Sequence, residues 1–336
     1  MGPNTSKRTL SHLSKVFFAA LCLAVAACGG GNKNNRKEGD LQFLRLERVI
    51  MDTPADQLHD ALQDFRTQFP SPLLTIVPDD PTFMRYAEDY RADSIMRHID
   101  KTVKQRYGDL GWLERKLTDA LRQAQKMDSK ISYSHFATFI GSSGYDSRVR
   151  ADRESGSLVV AIDQYVLPQM ESFGYFGDPQ YIVHLSDSAY ILGDCIEAIA
   201  KEHIAMPDEP WSLLDYMIAE GKSLYLMEEL LPDTPDSIRL RYTEQQLAWM
   251  KQQESNVWAY LLQNNMLFTN DFARFHNIID EAPKTNAFGN ESAPRAAAYI
   301  GWQIVRKYMK KSGVSLHELF ENTNSQMILS ESTYRP

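Results

Sequence analysis

Residues 131–162, ISYSHFATFIGSSGYDSRVRADRESGSLVVAI, decide the fold. The two ends of this stretch, 131–140 and 158–162, are rich in β-branched and aromatic residues and read as strands. Between them lie Gly141-Ser142-Ser143-Gly144 and a charged run from Asp146 to Glu154, a composition suited to a solvated connection. The pattern predicts a hairpin with a long loop. Nearly everything after it carries helical periodicity. A hairpin followed by a run of helices predicts a predominantly helical α+β protein, with a small antiparallel sheet packed on a set of helices.

Upstream, residues 41–49 (LQFLRLERV) alternate loosely and suggest a further strand, and helical patterns follow over 55–68, 82–106 and 112–126. Pro70, Pro72, Pro78 and Pro81 punctuate the gap between the first two. Downstream, helices are expected near 188–205, 213–230, 244–265, 294–311 and 316–323. Three of these carry start signals, Ser212 with Asp215, Thr243 with Gln246 and Ser315 with Glu318. In such a box a hydroxyl accepts from a first-turn amide while the residue three positions on reaches back.

The chain opens on a different kind of signal. Residues 16–27 (VFFAALCLAVAA) are apolar, follow Lys7, Arg8 and Lys15, and close on Val25-Ala26-Ala27-Cys28. A spanning helix needs about 20 apolar residues, so this segment reads as a secretory signal. Small residues before a cysteine fit the lipobox of signal peptidase II, which makes Cys28 the acylated first residue of the mature chain. The expected organisation is a signal peptide over 1–27, a flexible linker over 28–40 and one globular domain over 41–336. Gly29 supplies no acid to act as an inner-membrane retention signal, which favours the outer membrane.

Composition narrows the function. Apolar residues make up 43% and aromatic residues 11%, enough for a real core, and the formal charge is −8. Nucleic-acid binding needs a basic footprint, which this balance does not provide. With Cys22 removed and Cys28 acylated, Cys195 is left as the sole thiol, so no intrachain disulfide is expected.

Several acids fall on apolar helical stripes. Glu220-Gly221 interrupts a stripe of Leu213, Met217, Leu224 and Leu231; Asp194 lies between Ile191 and Ala198, with Glu197 one step on; Glu254 sits among Leu247, Met250, Trp258 and Leu261. A buried carboxylate costs several kcal/mol unless paired, and a mid-helix Gly costs about 1 kcal/mol against Ala. Two explanations stand. Asp194, Glu197, Glu220 and Glu254 converge on a catalytic centre, or each is structural, with Arg295 and Arg306 as partners and Gly221 and Gly301 admitting crossing helices. The sequence contains no His-Glu-x-x-His, phosphate loop or Gly-x-Ser-x-Gly. Histidines 59, 98, 135, 184, 203, 276 and 317 are scattered and read as surface or satisfied core residues. No metal and no cofactor is expected.

The runs LVVAIDQYVLPQ (158–169), YMIAEGKSLYLMEELLPDTPDSIRLRYTEQQLAWMKQQESNVWAYLLQNNMLFTND (216–271), PRAAAYIGWQIVRKYM (294–309) and SESTYRP (330–336) resemble the gliding-motility lipoprotein GldB family of Bacteroidetes. The likeness covers most of residues 130–336 in collinear order. It implies an outer-membrane lipoprotein required for gliding and associated with the type 9 secretion apparatus and other envelope proteins. A more distant likeness is to predicted zinc peptidases of zincin type, in which one helix carries His-Glu-x-x-His and a later Glu-Gly supplies the third ligand. Glu220 and Gly221 match that second element, and Glu197 stands at the general-base position, with Ile196 and Ala200 replacing the imidazoles. The resemblance implies a zincin-like scaffold without its metal and a non-enzymatic, lipid-anchored component. The alternatives are a hydrolase using Asp194, Glu197, Glu220 and Glu254 with an oxygen-bound cation, and a peptide- or glycan-binding periplasmic module.

Overall fold

The computed structural model describes residues 41–141, 147–170 and 179–336. The segment expected to be a signal peptide, the expected lipidation position Cys28, the expected linker 28–40 and part of the loop after Gly141 lie outside the described residues. Strand β1 (Gln42–Arg45) runs directly into helix α1 (Leu46–Asp52), and α2 (Leu58–Gln68), α3 (Pro81–Ala92), α4 (Ser94–Arg106) and α5 (Gly111–Met127) follow. Next come β2 (His135–Phe139), β3 (Val149–Asp152) and β4 (Ser157–Ala161), then α6 (Leu167–Met170) and α7 (Gln180–His184). The remainder is helical: α8 (Ser188–His203), α9 (Leu213–Leu230), α10 (Asp236–Leu240), α11 (Glu244–Gln263), α12 (Phe272–Ile279), α13 (Ala296–Ser312), α14 (Leu316–Glu321) and α15 (Ser325–Ser332). A predominantly helical α+β architecture is therefore what the sequence folds into.

The sheet has the order β1-β2-β4-β3 and is mixed. β2 runs parallel to both β1 and β4, and only β3 and β4 are antiparallel. The expected pairing of 131–140 with 158–162 as a hairpin is thus wrong. The actual hairpin partner of β4 is β3, which lies within the charged run assigned to the loop. The reason is burial on both faces. Phe136, Leu158 and Val160 point into the main core, whereas Ala137 and Val159 point into a second core with Leu58, Leu62 and Phe65. Every residue of β4 is buried, and an unbroken apolar run marks a central, largely parallel strand rather than a half-exposed hairpin arm.

Two other expectations need correction. The strand over 41–49 ends at Arg45, because Leu46, Val49 and Ile50 share a helical spacing that packs α1 on the second core. The helix over 82–106 breaks at Asp93, whose carboxylate accepts from the Ile95 and Met96 amides at 2.7 and 3.0 Å and starts a new helix. All three capping boxes form as anticipated, at the starts of α9, α11 and α14.

α9 and α13 cross with their backbones in contact. A Cβ on Gly221 would run into the Gly301 carbonyl, and one on Gly301 into the Met217 carbonyl. Glycine at both positions is what lets the two helices approach this closely. No helix of the described residues is long and apolar enough to cross a membrane.

Candidate functional site: a cleft of alternating charges

α8 places Asp194, Glu197 and Lys201 on one face through spacings of three and four. α9 adds Glu220, next to the crossing glycine. Three further residues come from segment ends: Arg241 follows α10, Glu281 follows α12, and Arg295 precedes α13. With Arg148, beside β3, and Asp280, these residues line a cleft of about 270 Å³.

The charges alternate around a closed circuit. Arg241 Nη2 bonds Glu197 Oε2 at 2.5 Å, and Glu197 Oε1 accepts from Lys201 Nζ at 2.6 Å. Lys201 Nζ is 3.9 Å from Glu220 Oε1, and Arg295 Nη2 bonds Glu220 Oε2 at 2.5 Å. Arg295 Nη1 and Arg241 Nη1 then share Glu281 Oε1, at 3.2 and 3.0 Å, which closes the ring. Asp194 branches from it. Its Oδ1 accepts from Arg241 Nη2 at 2.8 Å, and its Oδ2 meets Arg148 Nη2 at 2.7 Å and the Tyr165 hydroxyl at 2.6 Å.

Burial alone would raise the Glu197 carboxyl, but Arg241, Lys201 and Arg295 outweigh it and hold it well below the usual carboxylate range. Glu197 in turn raises Lys201. Burial pushes the Tyr165 phenol and the Cys195 thiol far up, so both stay protonated. Arg241 and Arg295 both adopt left-handed backbone conformations, with φ of 60° and 47°. Each costs a non-glycine residue on the order of 1–2 kcal/mol. Strain at both arginines shows that the surrounding fold fixes their positions.

Three of the four candidate acids, Asp194, Glu197 and Glu220, therefore meet in one cleft. Glu254 does not join them. It accepts from Tyr334 Oη at 2.7 Å and Tyr299 Oη at 3.4 Å, in a separate tyrosine cluster. Arg295 acts as a partner of the buried acids, but Arg306 pairs with Glu228 at 3.1 Å and lies over the Trp302 ring. Reading the stripes missed Arg148, Lys201, Arg241 and Glu281. Only Lys201 had a usable signal, its place four residues after Glu197; Arg241 and Glu281 sit at ends of short helices without a periodic signal.

A zincin ligand set does not fit here. Ile196 and Ala200 are fully buried apolar side chains without a coordinating atom, and Glu220 is engaged by Arg295. Among the described residues, no group of three or more His, Cys, Asp or Glu side chains is placed to hold a metal ion. His203 is buried against Tyr133, and His317 bonds Asp128.

No curated protein and no solved structure matches the chain. A family model described as gliding motility protein GldB does match, over residues 31–336, which takes in both the sheet and every residue of the charged cleft. The chain therefore belongs to the GldB gliding motility family.

Proposed function

We propose that this member of a gliding motility family works as a non-catalytic, lipid-anchored binding component of the envelope machinery for gliding and type 9 secretion. Its anchor is acylated Cys28 in the outer membrane, and its partners are other envelope proteins. One observation carries the non-catalytic reading: Asp194, Glu197, Glu220 and Glu281 are each paired with a cation of the chain itself. General acid chemistry needs a carboxyl that keeps its proton near neutral pH, and Glu197 is pushed the opposite way. A divalent cation would have to displace Lys201 or an arginine before reaching Glu197 or Glu220. On this reading the scaffold is zincin-like, with side-chain cations rather than a metal beside Glu220.

Complementation of a strain lacking the gene tests this. Glu197→Gln and Glu220→Gln should restore spreading to near the unaltered level once protein amounts are matched. Loss of motility at undiminished protein would reinstate the hydrolase reading. Stoichiometric metal in the purified chain would do the same. Cys28→Ala should abolish incorporation of a labelled fatty acid and move the chain out of the membrane fraction.

A further inference from the structure

At the start of α12, the helix whose other end reaches the cleft, the chain exposes an aromatic surface. Phe268 is 62% exposed, and Phe272 and Leu262 are each 49% exposed. They are rigidly mounted. The Leu213 and Leu214 amides, unpaired donors at the start of α9, bond the carbonyls of Thr269 and Leu267 at 3.0 and 2.9 Å and pin the backbone on either side of Phe268. The Phe272 ring packs at 6.1 Å from Tyr216 and 5.5 Å from the buried Phe275, and Tyr216 at 5.5 Å from Trp211. Arg274 reaches back from α12 to the Asn264 carbonyl, two residues past Leu262 near the end of α11. The exposed parts of these three side chains come to on the order of 300 Å², the size of the largest apolar patch on a typical monomer.

The surrounding charge is one-sided. Segments 208–216 and 262–280 contain Asp208, Glu209, Asp215, Asp271 and Asp280 against Arg274 as their sole Lys or Arg. That arginine is turned onto a carbonyl of its own chain. Glu209 and Asp280 are near enough to Tyr216 to act on its phenol, which sets them on the rim. This charge selects among occupants. A second copy would bring an acidic rim against an acidic rim, and the patch falls well short of the roughly 800 Å² per partner of a stable interface. An anionic lipid surface would be repelled rather than drawn in. A protein segment with an apolar or aromatic tip between lysines or arginines meets both the rings and the rim, in the manner of an aromatic hot spot inside a polar border.

We propose that Phe268, Phe272 and Leu262, with the acids around them, form the docking surface for a basic, apolar-tipped segment of another envelope protein. This rests on the reading of the chain as a binding component and names the face it uses.

A photo-crosslinking phenylalanine placed at Phe272 of the full chain, in native cells, tests it, with Tyr86, 68% exposed, as the reference position. The expected result is an adduct to a protein whose mapped attachment segment carries net positive charge around an apolar residue. Adding Phe268→Ser should cut its yield at least tenfold without altering the melting temperature. An adduct only to lipid, to a second copy of this chain or to an acidic segment overturns the proposal, as does a yield no higher than at Tyr86. If the chain still co-isolates with motility proteins in any of those cases, the binding role survives and only the surface is wrong; if it does not, both fall.

Discussion

Two of the contacts that join α9 to α13 and the residue just ahead of it work by opposite means. At Gly221 and Gly301 the helices meet through bare backbone, and closeness comes from the absence of side-chain atoms. One residue away along α9, and just ahead of α13, Glu220 and Arg295 meet through full charges. The crossing sets the distance, and the ion pair can form because that distance is already fixed. The crossing stabilises, and the ion pair specifies. Buried ion pairs roughly break even against apolar substitutes, yet losing one partner is expensive. The charged cleft therefore defines an arrangement more than it stabilises the fold.

The comparison breaks most completely at the crossing. Gly301→Val should cost more than about 4 kcal/mol, since neither backbone can retreat without emptying the core, and the chain should yield little folded protein in denaturation experiments. Gly221→Ala should be nearly as damaging. Next comes the cleft. Arg241→Met takes one of the cationic partners from each of Asp194, Glu197 and Glu281 and should cost about 3 kcal/mol in chemical denaturation. Adding Glu197→Gln to Arg241→Met should recover about 1–2 kcal/mol, because the two residues share one network. A strictly additive double variant would mean that the ring is not a unit.

Lys222 sharpens the contrast, because it is buried beside Gly221 with no carboxylate bonded to it. Its ammonium donates to the Asn322 carbonyl at the end of α14 at 2.7 Å, and burial pulls its pKa down to about 8, against a small opposing effect of Glu321. The unfolded chain, with an ordinary lysine near 10.4, binds the extra proton between those two values. Stability should therefore rise as pH goes from about 8 to 10, by roughly 1–2 kcal/mol. Lys222→Met should flatten that rise in melts taken across the range. The smallest effect is expected at Glu254. Glu254→Gln keeps an acceptor for Tyr334 and Tyr299 and should cost about 1 kcal/mol in the same melts.

Much of the fold was legible because capping boxes and apolar periodicity are local. Ser212, Thr243 and Ser315 announce their helices without help from distant residues. Strand pairing is not local. Whether LVVAI is a hairpin arm or a central parallel strand depends on what covers its second face, and that cover comes from α2, some 90 positions earlier in the chain. The same divide runs through the site. Asp194, Glu197 and Glu220 stood out as acids on apolar stripes, and Lys201 follows from helical spacing. Arg241 and Glu281 arrive from the ends of short helices, where no periodicity points to the cleft. Glu254 carried the same stripe signal as Glu220 but faces the tyrosine side, because the two acids sit on helices whose inward faces look toward different neighbours.

The alternating ring also limits how this protein can drift under mutation. Losing any one member leaves neighbours of the opposite sign short of a partner, so each single step away goes downhill. Arg241, shared by Asp194, Glu197 and Glu281, is the hardest to lose. Lys201, over half exposed, is the easiest, because water can take over its role. Change should enter this cleft at position 201 and reach position 241 last, in step with a compensating acid.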